Sequence, residues 1–162
     1  VFFQKRFNAV AASENKMTPD FYPIGLLQPT PPYRFDLYLA VLRRFQAPSL
    51  LQVFDNAVWR VVQHSGGLAL LRIAADKDNV LRVDCMAQSG TLLPAELLAS
   101  AARLCGTDIS LSSFYAFAQN QPRLYPLLEP LLGLPIFRSE SLFEALLFMD
   151  FRIRDDRYRI AE

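Results

Sequence analysis

Apolar and polar positions along this chain change period twice. From Asp36, apolar residues fall at 37, 38, 41, 42 and 45, one face of an amphipathic helix, with Arg43 and Arg44 off the stripe and Pro48 just past it. Asp36 is the expected N-cap, since its carboxylate can accept from the unpaired N–H groups of the first turn. The period then falls to that of strands. Residues 58–64, 68–75 and 80–87 are rich in Val, Leu and Ile, and Ser65-Gly66-Gly67 and Asp76-Lys77-Asp78-Asn79 between them supply hairpin turns. The pattern predicts an antiparallel meander. Trp59 and Arg60 alternate with Val58 and Val61, so one sheet face is expected to be wet or covered by another element. Upstream, residues 24–28 form a short strand candidate, which the run Pro29-Thr30-Pro31-Pro32 restricts to an edge or a strand end.

The helical period returns at Pro94, suited to a first helical position, with Leu97, Leu98, Ala101, Leu104 and Cys105 on one side and Gly106 as the stop. Two helices on one antiparallel sheet give an α+β layer arrangement. Beyond Asp108 the pattern is helical in short pieces: Ser112–Gln119, Pro122–Leu132 and a helix beginning at Ser141. There Ser141 and Glu144 have the spacing of a capping box. From Phe151 the period is again two, with Phe151, Ile153, Tyr158 and Ile160 interleaved with four arginines, a strand pattern where the helix was under way. Residues 1–20 show no periodicity and predict a disordered tail, with translation expected to start at Met17.

Composition narrows the function classes. The chain has 162 residues, 52% of them hydrophobic, and no uninterrupted apolar stretch approaches the ~18 residues of a membrane span. The N-terminal segment also lacks the apolar run of roughly 7–15 residues that a signal peptide needs. A soluble cytoplasmic protein is expected, with no membrane partner. Seventeen basic and sixteen acidic residues leave a net charge of +1, so any nucleic-acid contact has to be local. Only Cys85, Cys105 and His64 offer soft metal ligands, without CxxC spacing, so no metal or other cofactor is expected. Both cysteines read as buried apolar residues and His64 as a turn histidine. There is no GxGxxG, P-loop, HExxH or GxSxG, and a lone His excludes most acid–base triads. Asp76 and Asp78 read as turn carboxylates, and Phe114, Tyr115, Phe117 and Tyr125, at helical spacing, as core. No catalytic residue is assigned.

One ordered set of segments carries a resemblance. PPYRFDLYLAVLRRF, the strands VWRVVQHSGGLALLRIAA and VLRVDCMA, a helix closed by LCG, and DISLSSFYAFAQNQPRLYPLLEPLLGLPIFRSESLFEAL together resemble the N-terminal half of bacterial 3-methyladenine DNA glycosylase II, over residues 21–149. The resemblance implies a small antiparallel sheet with two helices, similar to half of a TATA-binding protein, over 21–109, and the start of a helical catalytic domain over 110–149. It implies an enzyme that flips an alkylated or oxidised base out of duplex DNA and cleaves its glycosidic bond, with a helix-hairpin-helix and a catalytic Asp that this chain does not match. Val41 falls where the family has a residue bordering the base pocket. The chain leaves the family pattern near Met149, and 150–162 is expected to be a charged tail arising from truncation, a shifted frame or a genuine ending. On this reading the chain alone is inactive and binds double-stranded DNA weakly, and the exposed helix from Ser141 promotes self-association. The alternative is a stand-alone TATA-binding-like module that binds nucleic acid or protein without catalysis.

Overall fold

The computed structural model describes residues 21–44, 51–65, 67–87, 93–139, 141, 142 and 144–146. The expectations for 1–20 and 150–162 lie outside these residues. Five strands form one antiparallel sheet in the order β1-β5-β4-β3-β2. Strand β1 (Tyr22–Leu27) occupies one edge, and helix α1 (Phe35–Arg44) carries the chain to β2 (Leu51–Phe54) at the other. Successive hairpins then join β2 to β3 (Ala57–His64), β4 (Gly67–Ala75) and β5 (Leu81–Ala87), and α2 (Pro94–Cys105) follows. The α+β class predicted from periodicity is therefore the observed one.

Strand β2 is absent from the sequence-based reading. It has only four residues, and its turn to β3 is Asp55-Asn56, with φ of 50° and 54°. Positive φ at both central positions is the two-residue hairpin geometry that Asn-Gly or Asp-Gly usually announces. Asn and Asp reach that region at a modest cost and give a weaker signal. Asp36 also departs from expectation. Helix α1 begins at Phe35, which places Asp36 inside the first turn, where it pairs with Arg34. A carboxylate there still suits the positive end of the helix dipole.

Alternation assigns each strand residue to a face. Val58, Val62, Leu71, Ile73, Leu81 and Val83 point toward α1 and α2 and form the core with Phe35, Tyr38 and Leu39 of α1 and Leu97, Ala101 and Leu104 of α2. The approach is close where α2 crosses β1. A Cβ at Gly25 would lie 2.8 Å from Leu98 Cδ1, beside an irregularity in β1 between Pro23 and Gly25.

The C-terminus of α2 is tied to the rest of the chain. Gly106, at φ 64°, ends the helix as its sequence position predicts. Thr107 N–H donates to Ala102 O at 3.0 Å and Gly106 N–H to Arg103 O at 3.3 Å. Tyr38 Oη donates to Leu104 O at 2.8 Å and Tyr33 Oη to Cys105 O at 2.9 Å. The last four carbonyls, which have no intrahelical partner, are thus all engaged, two of them by tyrosines from the segment that forms α1.

The downstream region is more broken than its pattern suggests. Helix α3 (Ser112–Gln119) matches expectation, but the predicted helix 122–132 resolves into α4 (Tyr125–Leu128) and a 3-10 turn over Glu129–Leu131. Pro126 and Pro130 each open one of these turns, because proline lacks the N–H that would continue the preceding helix. The segment after them packs back on the α+β layers. Arg34 N–H donates to Gly133 O at 2.7 Å, Gly133 N–H to Tyr115 Oη at 3.0 Å, and Phe137 stacks on Tyr38 with centroids 5.0 Å apart.

Candidate functional site

Val41, which the resemblance assigns to a pocket wall, is half-buried on α1, three residues after Tyr38. That spacing puts it on the neighbouring surface of the helix.

The sequence left the face of Arg60 open. Its alternation with Trp59 left it on either face, and the register places it with Val58 and Val62 on the helix-covered side, 5% exposed. An arginine so placed needs an anion, and Glu144 supplies it. The two side chains meet at two points, Nη1 to Oε1 at 2.7 Å and Nη2 to Oε2 at 2.8 Å. Ser141 Oγ accepts from Glu144 N–H at 3.1 Å, the half of the capping box that fixes the start of this helical turn. The Glu144 carboxylate, read from sequence as the returning half of that box, points into the α+β layers.

The second face of the sheet holds a different group. The register sets Trp59 of β3, Arg72 of β4 and Asp84 of β5 side by side in one row, and Arg82 lies two residues from Asp84 on the same face. Asp84, 6% exposed, accepts through one oxygen from both arginines, Arg72 Nη1 at 2.9 Å and Arg82 Nε at 3.2 Å. The Arg72 guanidinium lies 5.9 Å from the centre of the Trp59 ring, and Phe21 meets that ring edge-on at 5.3 Å. Trp59 Nε1 donates to Phe54 O at 3.1 Å, which fixes the indole on β2. Leu26, Phe54 and Leu68 stand exposed on this face. Ala57 and Leu70, its buried apolar residues, lie outside the core cluster closed by α1 and α2. The turns read from sequence left this register open: only with His64 opposite Gly67 and Ala75 opposite Leu81 does Trp59 fall opposite Arg72 and Arg72 opposite Asp84.

Of the aromatics read as core, Tyr115 is buried, Tyr125 is half-buried, and Phe114 and Phe117 stand exposed, because the short helix that carries them turns only one side inward. Burial raises the Cys85 and Cys105 thiols above their ordinary value, so neither is a ready thiolate. His64 ends β3 beside the turn residue Ser65, whose hydroxyl and N–H donate to the Glu96 carboxylate. Those bonds, the hydroxyl's first, hold the Glu96 carboxyl below its ordinary value, and the nearby charge of His64 adds to the effect. Among the described residues no cluster of three or more His, Cys, Asp or Glu is assembled that could hold a metal, and no helix is long and apolar enough to cross a membrane. No model of a known protein family matches the chain, and no curated protein matches it.

Proposed function

We propose that the chain provides the α+β domain and first catalytic-domain helices of a cytoplasmic base-excision-repair DNA glycosylase acting on alkylated or oxidised bases. The observation that carries this reading is the order of elements. An antiparallel sheet with two helices is followed by short helices, and the resemblance implies a small antiparallel sheet with two helices and then the start of a helical region. In this reading Val41 borders the base pocket. Most of the pocket, the hairpin that grips the duplex and the Asp that stabilises the developing sugar cation belong to sequence it does not match. Double-stranded DNA is the partner of the whole enzyme. Leu142 at 77% and Leu146 at 57% exposure support self-association of this chain through the turn that carries Glu144.

The test is release of methylated purines from alkylated duplex DNA, measured on this chain and on a protein extended through the following coding sequence. The chain alone is expected to release none and the extended protein to release them, with a raised KM in Val41→Asp. An extended protein without activity, or turnover by the chain alone free of host enzymes, overturns the reading. The alternative of a stand-alone binding module is favoured by one observation, the Trp59, Arg72, Asp84 and Arg82 group on the sheet face away from both helices.

A further inference from the structure

We infer that this sheet face, through Arg72 and Arg82, takes the phosphodiester backbone of a nucleic acid. The charged side chains among the described strand residues of this face are Arg72, Arg82 and Asp84. One carboxylate cannot neutralise two guanidiniums, so the group carries one positive charge in excess. Arg72 is held from two directions, by Asp84 and by the Trp59 ring that Phe21 braces, and Arg82 is held by Asp84 through Nε. The Arg82 side chain is 46% exposed, and its bond to Asp84 uses Nε. A planar fork fixed at its base suits phosphate oxygens, and holding it in place beforehand reduces what is lost on binding. Diagonal neighbours on adjacent strands are about 7–8 Å apart, so the two cations can engage the same backbone.

An acidic peptide would also meet the excess charge, but the main chain beneath the group favours nucleic acid. Strands β4 and β5 are each paired on both sides, so an extended peptide can add no ladder hydrogen bonds there. Phosphates need only the guanidinium forks, and the exposed Leu26 and Leu68 offer apolar contact to sugars and base edges. The inference shares with the glycosylase reading only its nucleic-acid partner. Its test uses undamaged DNA, so each can fail without the other.

The experiment is fluorescence anisotropy of a labelled undamaged duplex with the full chain across a salt series, with emission of Trp59, the chain's one tryptophan, read in parallel. Two phosphate contacts predict a slope of log affinity against log salt near −1.8, from about −0.9 per contact, and Arg82→Gln should reduce its magnitude by about 0.9. The change in Trp59 emission on binding should weaken with it. Arg44→Gln, exposed on α1 in the other layer, should leave slope and emission as in the parent chain. Circular dichroism verifies that both variants fold. Equal effects of the two substitutions, an unchanged slope in Arg82→Gln, or no binding at low salt overturns the inference. Displacement of the duplex by polyglutamate at equal charge concentration would overturn it in favour of an acidic protein partner.

Discussion

Arg60 and Glu144, 84 residues apart, form a two-point ion pair beneath the helices. The pair fixes the start of the last described helical turn against the middle of the sheet. Among the described residues of that turn, Leu142 and Leu146 are exposed while Glu144 is anchored.

Removing one partner is expected to cost more than removing both. Glu144→Ala leaves the Arg60 guanidinium buried without its carboxylate, a loss of about 3–5 kcal/mol for pairs of this kind. Replacing both, as in Arg60→Met with Glu144→Leu, should recover most of it. Urea denaturation of the two single variants and the double variant measures the coupling, and additive losses would show that the pair does not act as a unit.

Tyr38→Phe removes the hydroxyl bound to Leu104 O and leaves a buried helix-end carbonyl unpaired. The expected loss is about 1–3 kcal/mol. Tyr33→Phe, which frees Cys105 O, should behave alike, and thermal unfolding checks both. Because the two hydroxyls join the α1 region to the end of α2, hydrogen exchange should quicken in residues 101–106 before it does in β4.

Gly25→Val should destabilise through overpacking, by about 1–3 kcal/mol. The added branches would enter the space of Leu98 where α2 crosses β1. Leu98→Ala in the same chain should restore part of the loss, since it removes the atoms the new side chain meets. A double-mutant cycle on denaturant midpoints reads the compensation.

Asp108 links the turn after α2 to Arg138, and the Arg138 hydrogen bond holds its carboxyl below the ordinary 3.8. The folded state thus binds the proton less readily than the unfolded chain. The stability this pair contributes is complete above the ordinary carboxyl range and is lost as pH falls through the lowered value. Asp108→Asn should lower stability near neutrality and flatten the acid limb of a stability–pH profile. A limb as steep as the parent's would assign acid sensitivity to other carboxylates, of which Asp36 and Glu96 are also held low.

The sequence by itself determined most of the scaffold. The 3.6-residue stripe of α1, Pro94 and Gly106 at the ends of α2, and the Val- and Leu-rich runs of β3, β4 and β5 are local signals, set by backbone preference and burial on one face. Strand β2 escaped because four residues and an Asp-Asn turn carry little local preference, so its place comes from pairing with β3 and contact with α1. The helix predicted over 122–132 is divided before Pro130, with Pro126 in the first turn of α4, a local rule that the apolar pattern obscured. Tertiary structure alone decided which chemistry meets. Alternation could not say which face of β3 the helices would cover, so the burial of Arg60 and its pairing with Glu144 followed only once α1, α2 and the returning segment had closed over one side. The same choice of side left Trp59, Arg72, Asp84 and Arg82 together on the other, because a strand residue's exposure depends on where the layers dock, which its own neighbours in sequence do not specify.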